Sequence, residues 1–219
     1  MSDLTFEEWI LYVFDRPVEQ PEWYWDINED LIEEPPDKTV TYLTRLFEKA
    51  DKIVAPYTDV QVNQGLWYIA SSDCSNHMFT LLDEAVPWPD RQRCIRSMVT
   101  LFEGCFARRC TPTLSYLNEP GYSPINMICY MWFDVVPIYG RPDILERADV
   151  DREFLDVMEE ILKINSDACR ESALHGLGHW EAGYRGRVHN IVRRFLWHNP
   201  FLRSELRAYA RKAWNGDVQ

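Results

Sequence analysis

Glu171, His175 and His179 follow one another at four-residue intervals in the segment ESALHGLGHW. On a helix that spacing lines the three side chains along one side. Two imidazoles four residues apart are a usable pair for zinc, with Glu171 or His189 as a third donor, and the same groups could carry protons. The metalloprotease pattern places a glutamate directly after its first histidine, whereas Gly176 stands there in this chain. No Glu-x-x-His pair on two helices supplies a di-metal set. Two glycines within three positions cost a helix ~1 kcal/mol each against alanine. Close approach of two backbones offsets that cost, whereas a cation does not call for glycine. The segment therefore reads as a packing helix, with His175 and His179 hydrogen-bonded at a helix interface or lining a groove. No metal or cofactor is expected, and Glu171, His175 and His179 are the candidate ligands if there is one.

Other catalytic patterns are missing from the sequence. Cys169 lies six residues before His175, on a poorly matched helix face for a thiol–imidazole pair. There is no glycine-rich phosphate loop, nucleophile elbow or kinase motif set. No catalytic residue is assigned on these grounds. The six cysteines include no C-x-x-C and are expected to be reduced packing residues.

The elements that must position these side chains read as helices throughout. Phe6, Trp9, Ile10, Val13 and Phe14 fall at helical spacing, with Asp3 or Thr5 as cap. Val40, Leu43, Leu46, Phe47, Ala50 and Val54 make a stripe over 38–54, with Asp37 as N-cap. Further helices are expected over 59–71, 75–85 and 90–110, and over 125–136, which is apolar nearly all round. The last ones cover 149–165, 166–181, 187–198 and 200–214, with Gly183 and Gly186 framing a turn. No hairpin signal appears, so the fold class is all-α with about ten helices. The chain is expected to form one domain over 1–219: an acidic, aromatic N-terminal cap (1–37) and stacked antiparallel helix pairs (38–214).

Helix pairs recur every 35 to 45 residues, and CRESALHGLGHW sets small residues between Leu174, Leu177 and Trp180. In both respects the chain resembles HEAT-repeat (armadillo-type) solenoids, the segment standing for the inner helix of a repeat. That resemblance implies a curved α–α superhelix that binds protein or peptide on a concave face, and it implies no catalytic residues.

Charge is unevenly spread. The net charge is −12, with twelve acids against one arginine in residues 1–37 and eight basic residues against two acids in 184–219. Overall acidity argues against nucleic-acid binding, and no apolar run is long enough to span a bilayer. The acidic start is unlike a secretory signal, so a cytoplasmic location is expected. Trp23, Tyr24, Trp25, Asp26, Glu29 and Asp30, together with His175 and His179, are the candidate partner-binding residues, because clustered rings dominate interface hot spots. The expected function is non-catalytic binding of a protein, possible partners being basic toxins or enzymes. Most concretely, an immunity-type protein would neutralise its cognate bacterial toxin. The alternatives are a metal-dependent or acid–base enzyme centred on His175 and His179, and a plain helical scaffold.

Overall fold

Apolar stripes and stop signals become ten α-helices in the computed structural model, which describes residues 4–26 and 31–218. They are α1 (Phe6–Phe14), α2 (Pro36–Glu48), α3 (Ala50–Ile53), α4 (Asp59–Ala70), α5 (Trp88–Leu101), α6 (Ala107–Arg109), α7 (Ile125–Val135), α8 (Ala148–Ile161), α9 (Asp167–His198) and α10 (Ser204–Trp214). No strand occurs among the described residues. Nor is any helix there long and apolar enough to cross a membrane. All six cysteines are free thiols, and all but the half-buried Cys110 are buried.

Local chemistry explains most boundaries. Thr5 and Glu8 form a capping box at the start of α1, and Thr58 and Gln61 form another at α4, each satisfying two otherwise orphaned donors. The expected cap at Asp37 is displaced. Pro36 occupies the first helical position, where its missing N–H costs nothing, and Asp37 sits in the first turn facing the positive helix end. The helix expected over 75–85 is a 3-10 segment, His77–Leu82. The long helix from Trp88 passes through a π-helical turn, Phe102–Phe106, before ending at Arg109.

The turn expected at Gly183 and Gly186 is instead a bend inside α9. Only Tyr184 leaves helical geometry, at φ −127° and ψ 38°. Its hydroxyl donates to the buried Asp151 carboxylate at 2.8 Å, and the same carboxylate accepts the Arg141 N–H at 2.6 Å. One buried acid thus ties the bend to α8 and to the loop before it.

Packing is less sequential than consecutive helix pairs would make it. α2 lies chiefly on α5, α5 on α8 and α4 on α7, while α9 collects α7, α8 and α10. The apolar core is continuous from Phe6 to Val218. At its N-terminal end, Trp9 donates its indole N–H to His77 Nε2 at 3.2 Å, and His77 Nδ1 lies 2.7 Å from Ser75 Oγ. The Ser75 hydroxyl donates onward to the Tyr68 carbonyl, so His77 Nδ1 carries the proton and Nε2 must stay bare.

Burial pushes the His77 pKa down to about 4. A depressed base is neutral in the fold, so its contribution is complete above pH 6.5 and is lost as pH falls toward 4. The depression corresponds to about 3 kcal/mol. Urea midpoints measured at pH 7 and pH 5 should therefore fall for the wild-type chain, and fall by less in His77→Gln, which keeps an acceptor for Trp9 without titrating. Equal slopes for the two proteins would refute this assignment.

Candidate metal centre

α7 buries Ile125, Ile128, Cys129, Trp132 and Phe133, and carries one acid, Asp134, near its C-terminal end. α9 crosses it at Gly176. A Cβ on Gly176 would lie 2.6 Å from Phe133 Cβ and 2.7 Å from Met158 Sδ, so nothing larger than glycine lets α9 meet α7 and α8 at this spacing. Two positions on, a Cβ at Gly178 would lie 2.5 Å from the Val218 side chain, which fills that notch. The glycines therefore serve close packing, as expected. Because Phe133 and Asp134 are neighbours, the same contact brings a carboxylate up to the histidine face of α9.

Three donor atoms converge there. His175 Nε2 and His179 Nε2 are 3.1 Å apart, and Asp134 Oδ1 is 3.4 Å from His179 Nε2. One donor atom from each of the three residues lies within 4.8 Å of the others. With ligand bonds of ~2.0–2.1 Å, tetrahedral geometry requires donor separations of ~3.3 Å. The mouth is partly wet, with the His179 and Asp134 side chains 34% and 35% exposed, while His175 is 2% exposed at the base. Burial, and secondarily the neighbouring His179, push the His175 pKa down to about 4, which keeps the imidazole neutral.

Helix α10 supports the buried ring. Tyr209 Oη lies 2.7 Å from His175 Nδ1, and Tyr130 Oη lies 3.1 Å beyond it. Tyr116 stacks on Tyr209 with ring centres 4.2 Å apart. A hydrogen bond to the far nitrogen selects the tautomer and orientation that a metal-ligating histidine needs.

The other proposed donors are engaged elsewhere. Glu171 is fully buried and accepts the backbone N–H groups of Ser115 and Tyr116, each at 2.9 Å, so it fastens the loop over 111–124 to α9. Burial raises its pKa to about 7, with those two N–H groups pulling the other way. His189 stacks on Trp214 and shares Nε2 between Glu181 (3.1 Å) and the Trp214 carbonyl (2.9 Å). Asp134, Tyr130 and Tyr209 are the site residues that spacing along the chain did not reveal. Asp134 left one signal, as an acid interrupting an otherwise apolar run.

The aromatic candidates have a different setting. Trp23 packs on Tyr68 and Tyr12 under the Arg16 guanidinium, and Tyr24 is buried against Tyr68. Trp25 stays half-exposed, beside Asp26. Glu29 and Asp30 lie outside the described residues. The most exposed rings, Trp197 and Phe201, are at the opposite, basic end.

Comparison with known proteins finds no match, whether to a family model, a curated protein or a solved structure.

The contact at Gly176 is open to test. Gly176→Ala should lower stability by about 1–3 kcal/mol despite alanine's better helix propensity, because overpacking dominates. Gly178→Ala should cost less, since only the Val218 side chain need move. Urea denaturation at pH 7 gives both values, and a neutral or stabilising Gly176→Ala would remove the packing explanation.

Proposed function

We propose that this chain holds a first-row divalent cation of the zinc class on Asp134, His175 and His179, and that this centre is the site of a metal-assisted hydrolytic activity. One observation carries the proposal: two imidazole nitrogens 3.1 Å apart, with a carboxylate oxygen 3.4 Å from one of them, at the spacing of a ligand shell. Imidazole and carboxylate donors without thiolate suit zinc and its divalent neighbours. Three protein donors leave a position for water or substrate, which is the pattern of catalytic zinc rather than closed structural zinc. A cation bound there would supply Lewis acidity and lower the pKa of water. The protein's part is to keep His175 neutral and oriented through Tyr209, and to present His179 and Asp134 at the mouth.

Calorimetric titration of the chelator-treated chain with Zn(II) and Co(II) tests this reading. One equivalent should bind, and His179→Ala or Asp134→Ala should each abolish measurable binding. Tyr209→Phe should weaken binding by roughly 10–100-fold, as expected when the group orienting a ligand is removed. Glu171→Gln should leave the affinity unchanged. A wild-type chain that binds neither metal would overturn the proposal, and chelator-insensitive ester or phosphoester hydrolysis would overturn its hydrolytic part.

A toxin-neutralising or other protein-binding role draws on a separate observation, the exposed pair Trp197 and Phe201. With Arg193, Arg194 and Arg211 also exposed nearby in the chain, that end fits an acidic partner better than the basic one inferred from composition.

A further inference from the structure

Between α8 and the two arms of the bent α9 lies a cavity of about 450 Å³, lined by Leu162, Ile191 and Phe195 on its apolar side and by Lys163, Arg170, Arg194 and Glu159 among its charged groups. It shares no residue with the proposed metal centre. Its volume is in the range of small-molecule sites.

Arg170 is the residue that calls for explanation. Its side chain is only 13% exposed, and its nearest carboxylate oxygen, on Asp167, is 3.9 Å away. Its Nε is sealed from solvent with no hydrogen-bond partner. Among the described residues the guanidinium makes no hydrogen bond closer than that ion pair, and its two outer nitrogens, unlike Nε, are not sealed from solvent. The cation is thus held by one long ion pair and lacks the close, hydrogen-bonded partner that partial burial favours. Glu159, the carboxylate among the described lining residues, does not add a second partner, because it is taken by Arg187 at 2.7 Å and Arg194 at 2.6 Å. Lys163 is paired outward with Glu160. What remains is one planar cation, loosely paired with Asp167 and with a sealed, unpartnered Nε, beside an apolar wall.

We infer that this cavity binds an amphipathic monocarboxylate, its head group on Arg170 and its hydrocarbon body against Leu162, Ile191 and Phe195. A guanidinium fork matches a carboxylate in two parallel hydrogen bonds, and the apolar wall takes the chain that a free inorganic anion lacks. Nothing in this inference depends on the metal centre.

Decanoate is the probe, titrated into the full-length chain by calorimetry, with decanol and acetate as controls that carry only the body or only the head. Decanoate should saturate one site below about 1 mM, and neither control should compete at equal concentration. Arg170→Met should melt close to the wild-type temperature, since it replaces a loosely paired, mostly buried cation with an apolar side chain of similar length. It should also lose decanoate affinity at least about tenfold, the loss expected for a charged hydrogen-bonded pair. Arg170→Lys keeps the charge without the fork and should fall between the two. Absence of saturable decanoate binding, equal binding of decanol, or unchanged affinity in a folded Arg170→Met would each overturn the assignment.

Discussion

The crossing of α7 and α9 at Gly176 is the constraint on which the rest depends. No atom fits between that glycine and the Phe133 and Met158 side chains, so helix α9 is pinned against two neighbours at once. A residue that weakens an isolated helix is retained because the contact it permits is tertiary. Asp134 follows Phe133 directly, so the contact also sets how near the carboxylate comes to His179. Taken by its residues alone, the segment offers packing and donor convergence as alternatives. In the folded chain the first produces the second.

Buried polar groups elsewhere act as fasteners of the same kind. Glu171 holds a loop by two backbone N–H groups, Asp151 holds the bend of α9, and His77 joins α1 to the 3-10 segment. Each bridges elements that apolar contact alone would leave free to slide, and each is hydrogen-bonded, as burial demands. Arg170 differs from these fasteners, because its one carboxylate contact, to Asp167, is long and its Nε is left without a partner.

The helical class and most apolar stripes were legible from periodicity, since burial on one face leaves a 3.6-residue imprint on each segment separately. In α1, all five stripe residues from Phe6 to Phe14 are buried. Which helices touch left no such imprint. α2 packs on α5 across two intervening helices and a 3-10 segment, a relation set by how the whole chain closes rather than by any window of it. The site divides along the same line. His175 and His179 were visible because they share a helix, whereas Asp134 and Tyr209 reach them from α7 and α10, through contacts that no local pattern encodes. Glu171 shows the converse, because correct helical spacing placed it on the histidine side while the loop it holds turned its carboxylate to other work.

The proximity of Asp134 to His179 also decides which way hydrogen atoms run through the cluster. A carboxylate oxygen beside His179 Nε2 favours a proton on that nitrogen, which leaves His175 Nε2 as acceptor and places the His175 proton on Nδ1, toward Tyr209. The inner imidazole is then already in the form a cation requires, its lone pair facing the gap. Only the outer, solvent-reached ring must change tautomer for an ion to enter, so the rearrangement falls on the side chain with direct access to bulk water and none of it on the sealed one.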